Sequence, residues 1–307
     1  MFRKLHDLSS WKSPRHYTRM CNGLTNAPIL FNKGRLEFLM KMYVIDCGRM
    51  LLQESGLVAD QPDIPAGTPK WVDIPICTYL FEHADGYVLF DTACDPEGMT
   101  KNWPEQSKQT APYEAEAGAY LPERLKQLGV SPDDVRYVVQ SHLHIDHAGC
   151  LKLFKKAEVF INESELMQVL KQYALRAYQP AYVESDIKGW LDAGLRLNLV
   201  SEEEKEIKLL EGLTIVNFGL GHAYGMMGLL VELEKSGNYL IVSDALHTEE
   251  NFGPPVRLTG VYVDAPGYIE TAEYIRKYAE EHHAVILFGH DKKQFESLIH
   301  STDGFYE

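Results

Sequence analysis

A chain of 307 residues with 45% hydrophobic and 24% charged side chains has enough apolar content for one large domain or two small ones. Its net charge of −14 argues against the basic face that nucleic acid requires, and the absence of any run of 18 apolar residues excludes a membrane-spanning helix. The N-terminus lacks the apolar stretch of a secretory signal, and the five cysteines are scattered without a CxxC pair, so reduced thiols and a cytoplasmic location are expected.

Charge divides the chain. Residues 1–41 carry eight Lys/Arg against two acids, whereas the remainder carries a net −20. The first 41 residues show no sustained period and read as a basic arm without predicted order, or as an extension ahead of a start at Met40 or Met42. One folded domain is expected over 42–307. It opens on a strand at Met42–Gly48, followed by a hairpin of Cys77–Glu82 and Tyr87–Asp91 around Asp85-Gly86. A helix over Leu121–Leu128 ends at Gly129. A short apolar strand, Val135–Gln140, then delivers the chain into His142-Leu-His144-Ile-Asp146-His147-Ala-Gly149. Glu158–Ile161 reads as a strand, Asn162 as the cap of a helix over Glu163–Gln172, and the segment to about Asn198 as a mostly helical insertion rich in Tyr and Trp. Strands over Leu213–Phe218, Gly228–Glu232 and Tyr239–Ser243, a helix over Tyr268–Glu281 and a strand over Ala284–Phe288 complete an α/β pattern of sheets covered by helices.

The six-residue cluster carries the chemistry. Residues two apart in an extended loop point the same way, so His142 and His144 can grip one ion. If the chain turns into a helix at Asp146, that carboxylate and His147 swing toward a second point. Three further residues sit where apolar strands meet loops: His222 after Gly219-Leu-Gly221, Asp244 after Tyr-Leu-Ile-Val-Ser, and His290 after Leu-Phe-Gly. A lone histidine at a strand end is more often structural, but together these residues supply two ions. His142, His144 and His222 would serve one, Asp146, His147 and His290 the other, with Asp244 between them. Imidazole and carboxylate without thiolate suit zinc in the first place, with iron or manganese as alternatives.

These motifs resemble the metallo-β-lactamase superfamily. With Tyr43–Gly48, Phe90-Asp-Thr, Asp244–Phe252 and Phe288-Gly-His-Asp291, the chain is most similar to the quorum-quenching N-acyl-homoserine lactonases over residues 42–300. The resemblance implies an αββα sandwich of two mixed sheets flanked by helices, so that 42–307 is a metallo-β-lactamase-like hydrolase domain. The β-lactamases of the superfamily place a cysteine where this chain has Asp244, and the flavodiiron oxygen reductases a glutamate where it has His144. It implies two divalent ions that make hydroxide from water at neutral pH, attack on a lactone carbonyl, and Asp146 or Asp244 as proton carrier. The partner is then a small lactone or ester, in a chain that could form a homodimer. An ester or thioester hydrolase, or an iron-dependent redox enzyme like the superfamily's sulfur dioxygenases, is the alternative. One position departs from the lactonases: they carry a tyrosine where this chain has His247. An imidazole there can donate a hydrogen bond or protonate an alkoxide, with Tyr224 and Tyr262 as other candidates for the missing phenol. Asp91 is expected to orient a metal-binding histidine.

Overall fold

A computed structural model describes residues 31–32, 35–36, 40–59 and 70–307, so most of the expected basic arm lies outside the described residues. The chain divides into two units, 1–37 and 38–307. In the first, β1 (Phe31–Asn32) pairs antiparallel with β2 (Arg35–Leu36).

The second unit is built on two mixed sheets. The first takes β3 (Lys41–Gln53), β4 (Trp71–His83), β5 (Gly86–Phe90), β6 (Tyr113–Glu114), β7 (Val135–Val139), β8 (Glu158–Asn162) and β9 (Arg196–Val200) in the order β6-β3-β4-β5-β7-β8-β9. Its β5-β7-β8-β9 half is parallel and the rest antiparallel. The second takes β10 (Glu206–Leu210), β11 (Leu213–Gly219), β12 (Met226–Leu233), β13 (Gly237–Ser243) and β14 (Ala284–Phe288) in chain order, with only the β13–β14 pair parallel. Helices α1 (Glu54–Leu57), α2 (Glu105–Thr110), α3 (Leu121–Gln127), α4 (Glu163–Leu175), α5 (Glu184–Ala193), α6 (Glu249–Phe252), α7 (Ala265–Glu281) and α8 (Lys292–Ser297) complete the unit.

Side-chain alternation sorts the apolar residues into three layers. Met42, Val44, Tyr79, Phe81, Val88 and Phe90 point between the sheets and meet Ile215, Leu229, Val231 and Ile241. Leu80, Leu89 and Val138 point the other way, onto Leu121 and Leu125 of α3, Val169 of α4 and Ile187 of α5. On the far sheet Val216, Leu230, Leu240 and Val242 meet Tyr268, Ala272 and Ile275 of α7. Strands covered on both faces must be apolar on both, which is why the central ones read as unbroken hydrophobic runs. Burying a side chain such as Phe81, 0% exposed, contributes roughly 1.5–3 kcal/mol. The architecture is the expected αββα sandwich. Among the described residues no helix is long and apolar enough to cross a membrane.

Two local expectations need correction. The first strand does not stop at Gly48 but runs to Gln53 through a bulge, where Gly48 takes φ +99° and the register shifts between Asp46 and Arg49. The insertion does not stay helical to Asn198, because Arg196–Val200 pairs in parallel with β8. Leu197 and Leu199 of that edge strand are both exposed, so no buried stripe advertised it; the open edge of β8 imposes the extended form.

Candidate metal centre

Each candidate donor leaves the end of a strand. β7 runs into the histidine loop, β11 leads to His222, β13 to Asp244 and β14 to His290. The fold brings the seven predicted residues together in two groups, His142, His144, His222 and Asp244 on one side and Asp146, His147, His290 and Asp244 on the other. Within each group one donor atom per residue lies within 4.8 Å of all the others. All seven are buried.

Asp244 joins the groups: its Oδ1 faces the second, and its Oδ2 faces the first while also lying 3.2 Å from His290 Nε2. Its Oδ2 lies 3.8 Å from His142 Nε2 and 3.4 Å from His222 Nε2. Its Oδ1 lies 3.3 Å from His147 Nε2 and 3.1 Å from His290 Nε2. Asp146 Oδ2 closes the second group, 3.5 Å from His147 Nε2 and 3.3 Å from His290 Nε2.

The outer ring nitrogens explain why the inner ones converge. His147 Nδ1 lies 2.8 Å from Asp91 Oδ2, His222 Nδ1 2.7 Å from the Val261 carbonyl and His290 Nδ1 3.0 Å from the Pro75 carbonyl. Those oxygens only accept, so each Nδ1 donates and each Nε2 is turned inward. His142 Nε2, His147 Nε2 and Asp244 Oδ1 are buried without a hydrogen-bond partner, and His144 Nδ1 faces His222 Nε2 at 3.0 Å. Buried donors and acceptors are rarely left unmatched, and electron-rich atoms gathered around two points fit two divalent cations.

Electrostatics separates the two groups. Burial pulls the imidazoles of His142 and His222 well below their usual range and His144 to about 4, which keeps all three neutral. Burial acts in the same direction on His290, but the Asp244 and Asp146 carboxylates outweigh it and push the ring up to about 10. His147 is raised for the same reason, with Asp244 the leading carboxylate. Burial works to raise Asp146 and Asp244, yet the neighbouring imidazoles hold both well below the usual carboxylate range. In the metal-free protein, protons on His147 and His290 therefore balance the two aspartates.

Asp91 sits behind this arrangement at φ +61°. Its Oδ1 accepts from Gln140 Nε2 (3.0 Å) and the Ser141 N–H (2.7 Å), and its Oδ2 from the hydroxyls of Ser141 (2.8 Å) and Ser243 (3.2 Å) besides facing His147. Ser141 Oγ in turn lies 2.9 Å from His142 Nδ1. Sequence reasoning missed Gln140, Ser141 and Ser243. The available signal was polar residues directly after apolar strands and next to donors.

Gly149 shows how tightly the loop is set. Its N–H donates to the Ala93 carbonyl at 2.7 Å, and a Cβ there would lie 2.1 Å from the Asp95 nitrogen and 2.5 Å from the Cys94 carbonyl carbon. Backbone cannot yield as a flexible side chain does. Gly149→Ala is expected to cost about 3 kcal/mol by overpacking, read as a lower urea midpoint at unchanged slope. A midpoint equal to wild type would show that the two loops can separate.

His247 lies inside the cluster, 3% exposed, with Nε2 3.3 Å from Asp244 Oδ2. Its ring stacks on His290 at 5.5 Å and meets His222 edge-on at 4.7 Å, while Nδ1 has no hydrogen-bond partner. The two alternative phenols are placed differently: the Tyr224 hydroxyl accepts from Gln179 Nε2 at 2.9 Å, and Tyr262 is 45% exposed. Asp291 caps α8 through the Gln294 N–H and accepts from the Glu249 N–H, which ties the His290 loop to α6. The aromatic insertion braces the histidine loop from behind: the Ile145 N–H donates to the Ala181 carbonyl at 2.9 Å, and Trp190 Nε1 donates to the Ala148 carbonyl at 2.9 Å. Cys150 is buried, its thiol 3.2 Å from the Cys94 carbonyl, and the four described cysteines are free.

An αββα sandwich with paired His/Asp groups at its strand ends defines a class of metal-dependent hydrolases, and the chain belongs to the metallo-β-lactamase superfamily, whose family model matches residues 73–290. Its relatives narrow the class. The chain is 45% identical to N-acyl homoserine lactonase AiiB of Agrobacterium fabrum (strain C58 / ATCC 33970) over 273 residues, 87% of this chain and 99% of that protein. It is 28% identical to N-acyl homoserine lactonase AiiA of Bacillus thuringiensis subsp. kurstaki over 84% of this chain and 95% of the relative. Among solved structures, a B. thuringiensis AiiA mutant with N-decanoyl-L-homoserine at its active site superposes with a TM-score of 0.73 at 25% identity, over 87% of this chain and 98% of that one.

Proposed function

We propose that this protein is a dinuclear, zinc-dependent lactonase that opens the ring of N-acyl homoserine lactones, a cytoplasmic quorum-quenching enzyme. The observation that carries the reading is the division of Asp244 between two complete donor groups in a chain 45% identical to AiiB along nearly all of that protein. Two divalent ions would be held by His142, His144 and His222 and by Asp146, His147 and His290, with Asp244 shared, and would supply a water acidified to a pKa of about 7 and a polarised carbonyl.

The chain's own residues do the rest. Addition of water to the lactone carbonyl forms a new C–O bond, collapse of the adduct breaks the ring C–O bond, and the proton that the water loses must reach the departing ring oxygen. Asp146, held as a carboxylate by His147 and His290, would accept the proton at Oδ2 and pass it on. Asp244 sets the separation of the two pockets. His247, with Nε2 3.3 Å from Asp244 Oδ2, would donate to the carbonyl or ring oxygen in the role of the lactonases' tyrosine. Burial of the whole set keeps bulk water from competing for these hydrogen bonds.

A pH-stat panel of N-acyl homoserine lactones, esters and thioesters tests the substrate class. Lactones should release one acid equivalent each; acid from thioesters or esters alone would defeat the lactonase reading. One iron per chain with oxygen-dependent thiol turnover would defeat hydrolysis altogether. His247→Ala should lower kcat on the order of 100-fold while two metal ions per chain remain, as loss of one oxyanion donor does. Wild-type kinetics in that variant would make His247 a bystander.

A further inference from the structure

A second buried carboxylate, Glu165, stands behind the three-histidine pocket. It is 0% exposed and lies in the first turn of α4, which Asn162 caps by accepting from the Glu165 N–H at 3.1 Å. Its Oε1 accepts from the Leu143 N–H (3.0 Å) and the Tyr182 hydroxyl (2.9 Å), and its Oε2 from the Tyr224 N–H (2.9 Å). Leu143 is the residue between His142 and His144, and Tyr224 is two residues beyond His222. One carboxylate therefore pins two loops that are remote in sequence and that between them supply the three nitrogens of one pocket.

The neighbourhood leaves these loops little slack. The Tyr182 ring packs edge-on against the His144 ring at 4.7 Å, so the hydroxyl bound to Glu165 also fixes that imidazole's orientation. At Gly225 a Cβ would lie 1.9 Å from Asn162 Oδ1, so the His222 loop rests directly on the cap of α4. His144 Nδ1 and His222 Nε2 face each other at 3.0 Å, and because His222 Nδ1 donates to Val261, its Nε2 brings a lone pair to that approach. A cation that replaces this contact needs both rings to keep converging without it, and that takes support from outside the pocket. The second pocket is braced by other groups, Asp91 on His147 and the Pro75 carbonyl on His290.

We propose that Glu165 is a positioning residue that preforms the His142–His144–His222 pocket for its ion, acting through the Leu143 and Tyr224 amides and the Tyr182 hydroxyl. The inference rests on the dinuclear metal reading above. Glutamine at 165 keeps the shape but must turn its amide NH₂ toward one of the two backbone N–H donors, which releases one loop.

Chelated wild-type protein and Glu165→Gln are titrated with Co²⁺, following the absorption of bound cobalt and the metal content after gel filtration. Wild type should bind two ions. Glu165→Gln should keep one at wild-type affinity and weaken the other about 10-fold or more, the scale expected for loss of an outer-sphere partner. The His290→Ala background, in which only the three-histidine group retains its full donor set, identifies the weakened pocket; there Glu165→Gln should weaken the remaining tight ion. Tyr182→Phe removes a single donor to Glu165, should weaken the same ion several-fold, and decides the matter if Glu165→Gln does not fold. Unchanged affinity for both ions, or equal weakening of both, overturns the positioning role. Wild-type protein that binds no second ion overturns the dinuclear reading instead.

Discussion

Asp244→Ala is expected to lower kcat/KM for lactone hydrolysis on the order of a thousandfold or more, about 4 kcal/mol in the transition state, and to leave at most one ion per chain. The size follows from geometry: this is the only side chain among the seven that belongs to both donor groups, with Oδ2 toward His142 and His222 and Oδ1 toward His147 and His290. Removing an end ligand such as His222 weakens one pocket, whereas removing Asp244 weakens both and releases the constraint on their separation. It also strips His147 and His290 of their nearest shared carboxylate in a fully buried setting, which is among the costly changes a core can suffer. Metal analysis alongside steady-state kinetics checks it. A variant that holds two ions and turns over lactone within tenfold of wild type would show that Asp244 does not join the pockets.

Removal of the metal ions is the second large effect. An ion that binds only the folded chain stabilises it by about 4 kcal/mol at a thousandfold excess over its Kd, so full chelation should lower the unfolding midpoint steeply. The chelated protein should also have a distinctive pH dependence. His290 is pushed up to about 10, above the usual histidine value, by carboxylates that outweigh its burial. Its charged form therefore stabilises the folded chain fully below about pH 6.5, and that contribution is lost as pH rises through 10. A cation at the Asp146–His147–His290 pocket replaces the same proton, so its apparent affinity should climb with pH across that window, while the neutral three-histidine pocket fills with much weaker pH dependence. Urea midpoints of chelated and metal-loaded protein from pH 6 to 10 provide the check. A chelated protein whose stability is flat over that range would mean that His290 carries no proton in the metal-free state.

Much of the fold was legible because central strands buried on both faces leave unbroken apolar runs. Val135–Val139 and Leu213–Gly219 are found within a residue, and the edge strand Ala284–Phe288 is found as read because it too is an unbroken apolar run. What stayed hidden were edges that lack such a run. Arg196–Val200 and Glu206–Leu210 each close one side of a sheet, carry polar or exposed residues and take their form from a neighbouring strand rather than from their own pattern. At the metal centre the donors were legible through residue type, three imidazoles and a carboxylate in six positions, and through strand-end placement. The supports were not. Glu165 reads in sequence as an ordinary acid in the first turn of a helix, and Ser141 and Ser243 as ordinary hydroxyls. Their role depends on hydrogen bonds to loops far away along the chain.

The sequence by itself determined the donor chemistry, its grouping around two points and an α/β pattern of sheets covered by helices, because i, i+2 spacing and strand periodicity are local properties that short-range geometry enforces. The αββα class followed from the family resemblance. Only the tertiary structure decided which atom faces which. It set Asp244 between the two groups, stacked His247 on His290 within the cluster, and turned the aromatic insertion into a brace for the histidine loop. Those outcomes depend on bringing residues 142, 182, 222, 244 and 290 within a few ångströms of one another. Sheet order and loop packing set such distances; the spacing of residues along the chain does not.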